Sequence, residues 1–147
     1  MDKKVVLLVE DNSDDIALTL RAFKKSNFPH EVVVAHDGQE ALEFLFGQGV
    51  SGNGPLTPSL ILLDLRLPRK NGMDVLQRVR SEKRTKLLPV VVLTTSTEER
   101  DLFECYNQGA NSYLRKPIDF TEFLDVVRRV EEYWLHLNQE PPHAQSK

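Results

Sequence analysis

Cysteine is almost missing from this chain: Cys105 is the only one. An intrachain disulfide is therefore impossible, and a cysteine-rich metal site is excluded. A reducing, cytoplasmic setting fits that usage. Charge of one sign is not in excess either. Nineteen Lys and Arg stand against 22 Asp and Glu, a formal net charge of -3, which argues against a general nucleic-acid binder. Long hydrophobic runs are absent. The first apolar run, Val5 to Val9, stops at Glu10 and is too short for a signal-peptide core or a membrane span. No glycine-rich turn follows it, so Val9-Glu10-Asp11 is not a dinucleotide-binding turn. His30, His36, His136 and His143 show no metal-ligand spacing.

What is present is an alternation of two periods. With 147 residues and roughly 150 residues per domain, one domain is expected, large enough to bury a core. Residues 1–137 form that domain in this reading, and 138–147, polar with Pro141-Pro142, form a flexible tail. Val5 to Val9, Val32 to Ala35, Leu60 to Leu63, Val90 to Leu93 and Ser112 to Leu114 read as strands. Between them lie helical patterns. Residues 13–27 carry Ile16, Leu20 and Phe23 on one face, capped by Ser13 or Asp14 and ended by Asn27-Phe28-Pro29. A second helix starts near Asp37 with Ala41, Leu42, Leu45 and Phe46. Residues 72–82 turn Met73, Leu76 and Val79 or Val75 inward, and 97–108 end at Gly109. Residues 119–137 present Phe120, Phe123, Leu124, Val127, Val130 or Glu131, and Trp134. Residues 47–59 hold four of the seven glycines and read as a long loop, either mobile in solvent or, through Val50 and Leu56, a kinase or dimer contact. Cys105 reads as a packing residue. Five βα units predict a mostly parallel sheet with helices on both faces; strand order is not readable from the pattern.

Ligands of a parallel α/β sheet gather at the carboxyl ends of its strands. The first strand delivers Glu10 and Asp11 there, and the third delivers Asp64. The fourth delivers Thr94, Thr95 and Ser96, and the fifth Arg115 and Lys116. Carboxylates brought together repel one another, and a hard divalent cation relieves the repulsion. Oxygen-only ligation favours Mg²⁺ over Zn²⁺. A carboxylate beside that ion can attack phosphorus, while Lys116, Thr94 and backbone N–H groups supply charge and donors to the phosphoryl oxygens. Each residue alone has a plainer reading. Asp11 with Asn12 to Asp15 can be a helix-start cluster, Thr94 to Ser96 a cap, and Lys116 a solvated lysine. The agreement of four strand ends carries the argument.

Over residues 4–135 the sequence resembles the receiver domain of two-component response regulators. The resemblance rests on Glu10-Asp11, Leu62-Leu63-Asp64-Leu65-Arg66-Leu67-Pro68 with Gly72, Leu93-Thr94-Thr95 and Leu114-Arg115-Lys116-Pro117. The spacings of 30 residues from Asp64 to Thr94 and 22 from Thr94 to Lys116 agree. It implies a doubly wound, five-stranded parallel sheet with five helices, the (βα)5 receiver or flavodoxin-like fold. It implies Asp64 as phosphoacceptor, and Mg²⁺, with Mn²⁺ as substitute, on Asp11, Asp64 and the Arg66 carbonyl, with Glu10 acting through water. Lys116 would pair with the phosphoryl oxygens. Thr94 would be the switch hydroxyl, Tyr113 the coupled aromatic switch, and Lys116-Pro117 a cis bond. The 47–59 loop, the Val-Val-Val-Leu-Thr-Thr-Ser run and Glu132-Tyr133-Trp134-Leu135 are similar to small stand-alone regulators of phytochrome-type histidine kinases. That implies such a kinase as partner, and a homodimer through the fourth helix, fifth strand and fifth helix.

Arg66 departs from the pattern, a long cation beside the acceptor that bears on the lifetime of the phosphorylated state. Thr95 stands where many receivers carry a smaller residue and would narrow access to the site. The alternatives are a Mg²⁺-dependent phosphatase or phosphotransferase using an aspartyl phosphate, or an adaptor that works without phosphorylation. The first commonly needs a second acid two residues after the nucleophile, where this chain has Arg66. The complete set of Glu10, Asp11, Asp64, Thr94 and Lys116 argues against the second. Neither a DNA-reading module nor a membrane segment is expected.

Overall fold

Side chains alternate across a strand, and that alternation builds two cores here. The computed structural model of the protein describes residues 3–26 and 30–142. The elements in chain order are β1 (Lys4–Val9), α1 (Ser13–Lys24), β2 (His30–Ala35), α2 (Gly38–Phe46), β3 (Leu60–Leu63) and α3 (Gly72–Ser81). They continue with β4 (Val90–Thr94), α4 (Glu99–Asn107), β5 (Ser112–Arg115), α5 (Phe120–Glu131) and a π-helical turn, Glu132–Leu137. The strands form one parallel sheet in the order β2-β1-β3-β4-β5. Leu7 and Val9 of β1, Ile61 and Leu63 of β3 and Val90 and Val92 of β4 face α2, α3 and α4. Val6, Leu8, Leu60, Leu62, Val91 and Leu93 face α1 and α5. The doubly wound (βα)5 fold is therefore present. Its order reverses between β1 and β3, the crevice where such sheets bind ligands. Among the described residues no helix is long and apolar enough to cross a membrane.

Several local expectations are corrected. Helix α1 ends at Lys24, and the predicted stop at 27–29 lies outside the described residues. Its cap is Asn12, whose side chain accepts the Asp15 N–H at 2.9 Å, in place of Ser13 or Asp14. Its buried face is Thr19, Ala22 and Phe23, while Leu20 is exposed. Thr19 buries because its hydroxyl bonds the Asp15 carbonyl one turn back, at 2.8 Å. Phe120 is 69% exposed, since the inward stripe of α5 begins only at Phe123. Trp134 packs on the α1/α5 core, and Cys105 is fully buried.

The 47–59 segment is not a free loop. It contains a short 3-10 turn, Val50–Gly52, and Leu56 packs against the α2/α3 core. The Leu56 N–H donates to the Phe44 carbonyl at 2.8 Å. Arg84 clamps the segment, donating to the Thr57 hydroxyl at 2.9 Å and to the carbonyls of Leu56 and Leu45. Arg80 likewise ties the connections that lead into β4 and β5, donating to the carbonyls of Lys86, Leu88 and Gly109 and to Asn111 at 2.8–2.9 Å. At the other end of the chain, Glu140 pairs with Lys4 at 2.8 Å. Residues 143–147 of the expected tail lie outside the described residues.

Candidate functional site

Parallel pairing of β1, β3, β4 and β5 brings their carboxyl ends to one edge. Glu10 and Asp64 follow adjacent strands, with the Asp64 N–H bonded to the Val9 carbonyl at 3.0 Å. Lys116 follows β5, and its N–H bonds the Thr94 carbonyl at 2.8 Å. The lysine therefore points back across the sheet edge. Its Nζ lies 2.6 Å from Glu10 Oε1, 2.8 Å from Asp15 Oδ2 and 3.0 Å from Asp64 Oδ2. Glu10 and Asp64 are buried, and Asp11 is exposed beside them. One oxygen from each of Glu10, Asp11 and Asp64 falls within 4.8 Å of the others.

Burial raises the pKa of Glu10 from the usual 4.5 to about 7; the Asp64 charge adds to the rise and the Lys116 hydrogen bond opposes it. Burial also works against the Lys116 ammonium. The hydrogen bonds it donates to Asp15 and Glu10, and the charges of Asp64 and Glu10, outweigh it and hold that group above the ordinary lysine range. Asp15 is the partner that sequence reasoning missed. It reads as one more acid at a helix start, and only the return of Lys116 from 101 residues away makes it part of the site.

Three carboxylates, Glu10, Asp15 and Asp64, face the single Lys116 ammonium, a surplus of negative charge. Oxygen-only donors and that surplus fit a hard divalent cation, Mg²⁺ or Mn²⁺. A pH dependence follows. In chelator the folded protein keeps the Glu10 proton where the unfolded chain has lost it. The associated stability is fully present below pH 4.5 and is lost as pH rises to about 7, on the order of 3 kcal/mol. Millimolar Mg²⁺ is expected to restore it at pH 8 but not at pH 5. Urea unfolding at both values with and without Mg²⁺ checks this; a Mg²⁺ effect equal at the two would refute it.

The remaining predicted residues sit around this centre. Thr94 is fully buried, and its Oγ1 accepts the Ser96 N–H at 3.3 Å. The Tyr113 hydroxyl donates to the Ser96 carbonyl at 3.3 Å. Ser96 in turn donates to Asp101 of α4 at 2.6 Å. The Arg66 side chain turns away from Asp64: the Arg66 N–H donates to Asp64 Oδ1 at 3.4 Å, while its guanidinium binds Asp101 at 3.0 Å. The side chain therefore docks on α4 and not over Asp64, because two acids at the start of that helix, Glu98 and Asp101, attract it. Thr95 is exposed. No cis peptide occurs among the described residues, so the Lys116-Pro117 bond is trans, contrary to expectation. Trans is the lower-energy isomer by about 0.5–1 kcal/mol even before proline.

An acidic pocket at the β1/β3 switch point, crossed by a lysine from β5, defines a phosphoacceptor domain that acts on its own aspartate. The chain belongs to the response regulator receiver domain family, whose model matches residues 6–128. It is 42% identical over 132 residues to the response regulator Rcp1 of Synechocystis sp., covering 90% of this chain and 89% of that protein. It is 41% identical over 143 residues to the "Probable methanogenesis regulatory protein FilR2" of Methanothrix harundinacea, covering 97% and 91%. The solved structure of the phosphorylated cyanobacterial phytochrome response regulator RcpA superposes with a TM-score of 0.90 at 40% identity, covering 96% of this chain and all of that one. The Mn²⁺-bound form of Rcp1 gives 0.88 at 38%, covering 95% and 99%. The acidic cluster thus carries the divalent-metal-dependent self-phosphorylation and self-dephosphorylation of receiver domains.

Proposed function

We propose that this chain is a single-domain phosphorylation switch served by a phytochrome-type sensor histidine kinase. The carrying observation is the position of Lys116, which holds Asp64 at 3.0 Å while bonded to Glu10 and Asp15. An Asp64 carboxylate oxygen attacks the phosphorus of a phosphohistidine. A P–O bond forms, the P–N bond breaks, and the electron pair stays on the imidazole. Asp11, Asp64 and the Arg66 carbonyl would hold Mg²⁺ directly and Glu10 through water. A bound Mg²⁺ supplies positive charge beside the phosphoryl oxygens. Lys116 then trades a carboxylate partner for a phosphoryl oxygen.

The added charge of about -1.5 to -2 draws the Thr94 hydroxyl inward and away from the Ser96 N–H. Ser96 is shared with Tyr113 and Asp101, so its release reaches β5 and α4 together. On α4, Phe103 and Tyr106 are exposed, as are Ile118 and Phe120 at the start of α5. This apolar α4-β5-α5 face is the surface through which the protein would pair with a second copy. Support for the kinase class comes from the likeness to RcpA and Rcp1.

Transfer of labelled phosphate from an autophosphorylated phytochrome-type kinase, with Mg²⁺ or chelator, tests this, with the product sized by light scattering. Mg²⁺-dependent labelling and a doubled mass are expected. Labelling by a small phosphodonor alone would remove the kinase assignment and keep the chemistry. Failure with both would leave a binding module.

A further inference from the structure

The geometry points to a second metal site, for a zinc-type ion, formed by His30, Glu131 and His136 on the side of the sheet covered by α1 and α5. In the sequence His30 and His136 lie 106 residues apart and show no metal-ligand spacing. The fold removes both objections. His30 opens the edge strand β2. Glu131 and His136 are five residues apart, which in an α-helix leaves them about 140° apart around the axis. Here α5 passes into the π turn Glu132–Leu137, whose hydrogen bonds link residues five apart, as from Asn138 N–H to the Tyr133 carbonyl. That wider turn brings the carboxylate and the second imidazole to one side, over His30.

The distances match the chemistry. His30 Nε2 lies 3.0 Å from Glu131 Oε2 and 3.2 Å from His136 Nε2, and the three ligand atoms fall within 4.8 Å of one another. Tetrahedral Zn²⁺ with Zn–N and Zn–O near 2.0–2.1 Å holds neighbouring ligand atoms about 3.3 Å apart. Two imidazoles and a carboxylate suit Zn²⁺, Cu²⁺ or Ni²⁺, whereas the all-oxygen pocket at Asp64 suits Mg²⁺. The two sites would sort their metals by donor type. His30 and Glu131 side chains are 2% and 10% exposed, so the ligands are held by packing. His136 and Glu131 line an open cleft with Lys25, Ser26 and Arg128, which gives an ion an entry path. Arg128 is the cation that acts on Glu131 from the cleft, and Lys4, which acts on His30, is paired with Glu140. Burial first, then His136 and Lys4, lowers the pKa of His30, the direction that leaves an imidazole neutral for a metal. An ion here would tie the sheet edge to the end of α5.

The test is calorimetric titration of Zn²⁺ into the full chain with millimolar Mg²⁺ filling the acidic pocket. Co²⁺ as a coloured substitute reports tetrahedral ligation by its visible bands. One equivalent should bind, and His136→Ala and Glu131→Gln should each weaken binding at least about tenfold. His36→Ala, at the exposed His36–Glu40 pair, should change nothing. Zn²⁺ should raise the melting temperature of the parent chain and not of the His136 variant, and both variants should still be labelled at Asp64. No binding above excess Mg²⁺, undiminished binding in both site variants, or loss only in the His36 variant would overturn the proposal.

Discussion

Asp64→Asn is expected to reduce phosphoryl incorporation from any donor to background, while leaving a folded protein. An amide oxygen is too weak a nucleophile to form the acyl phosphate, and the loss is a loss of chemistry, not of binding. The side chains are nearly isosteric, so Lys116 keeps Glu10 and Asp15 as partners at 2.6 and 2.8 Å. Removing the Asp64 charge also removes one cause of the raised Glu10 pKa. The variant should therefore be at least as stable as the parent at pH 8 in chelator. The measurement is stoichiometry of labelled phosphate from a small phosphodonor beside a thermal melt. Retained labelling would move the acceptor to another carboxylate, with Asp11 the first to examine.

Gly72→Ala is expected to cost about 3 kcal/mol of stability and to slow labelling in the same stroke. Gly72 opens α3, and its N–H bonds the Leu65 carbonyl at 3.0 Å. A β-carbon there would lie 2.2 Å from the Asp64 carbonyl oxygen and 2.7 Å from Leu65 Cα. Both are backbone atoms, so no side-chain rotation relieves the contact. Either α3 lifts off the sheet, at the expense of Val75, Leu76 and Val79 in the core, or the Asp64 peptide shifts and takes the acceptor with it. The helix start is otherwise well held, by the reciprocal Asn71–Asp74 cap at 3.1 and 3.2 Å. Urea midpoints and labelling rates of parent and variant decide it. An unchanged midpoint would mean that the α3 junction is looser than its geometry states.

How far the site could be read from the chain depends on where each residue's partners lie. Glu10, Asp64, Thr94 and Lys116 each end a recognisable strand, and the polarity of a parallel sheet sends all such ends to one edge. Their convergence was legible without coordinates. Asp15 was not, because its role comes from a lysine on another strand. The Ser96–Asp101 link between Thr94, Tyr113 and Arg66 was equally hidden, since it depends on where α4 begins. Phe120 was misplaced because one aromatic near a helix start satisfies the 3.6-residue period almost as well inside the stripe as outside it. The 47–59 segment looked loose from its glycines, and two guanidinium hydrogen bonds from a distant Arg84 settled it otherwise.

Local periodicity by itself determined the five βα units and the acids at the strand ends, because apolar spacing and turn residues act within a few positions of the chain, and short motifs at those strand ends carried the family resemblance. Tertiary structure alone decided the strand order, the threefold acid pairing of Lys116, the arginine clamps and the meeting of His30 with Glu131 and His136. Those features depend on which distant segments pack together. That choice is made by the whole core, through burial and hydrogen-bond satisfaction, and no short window of sequence contains it.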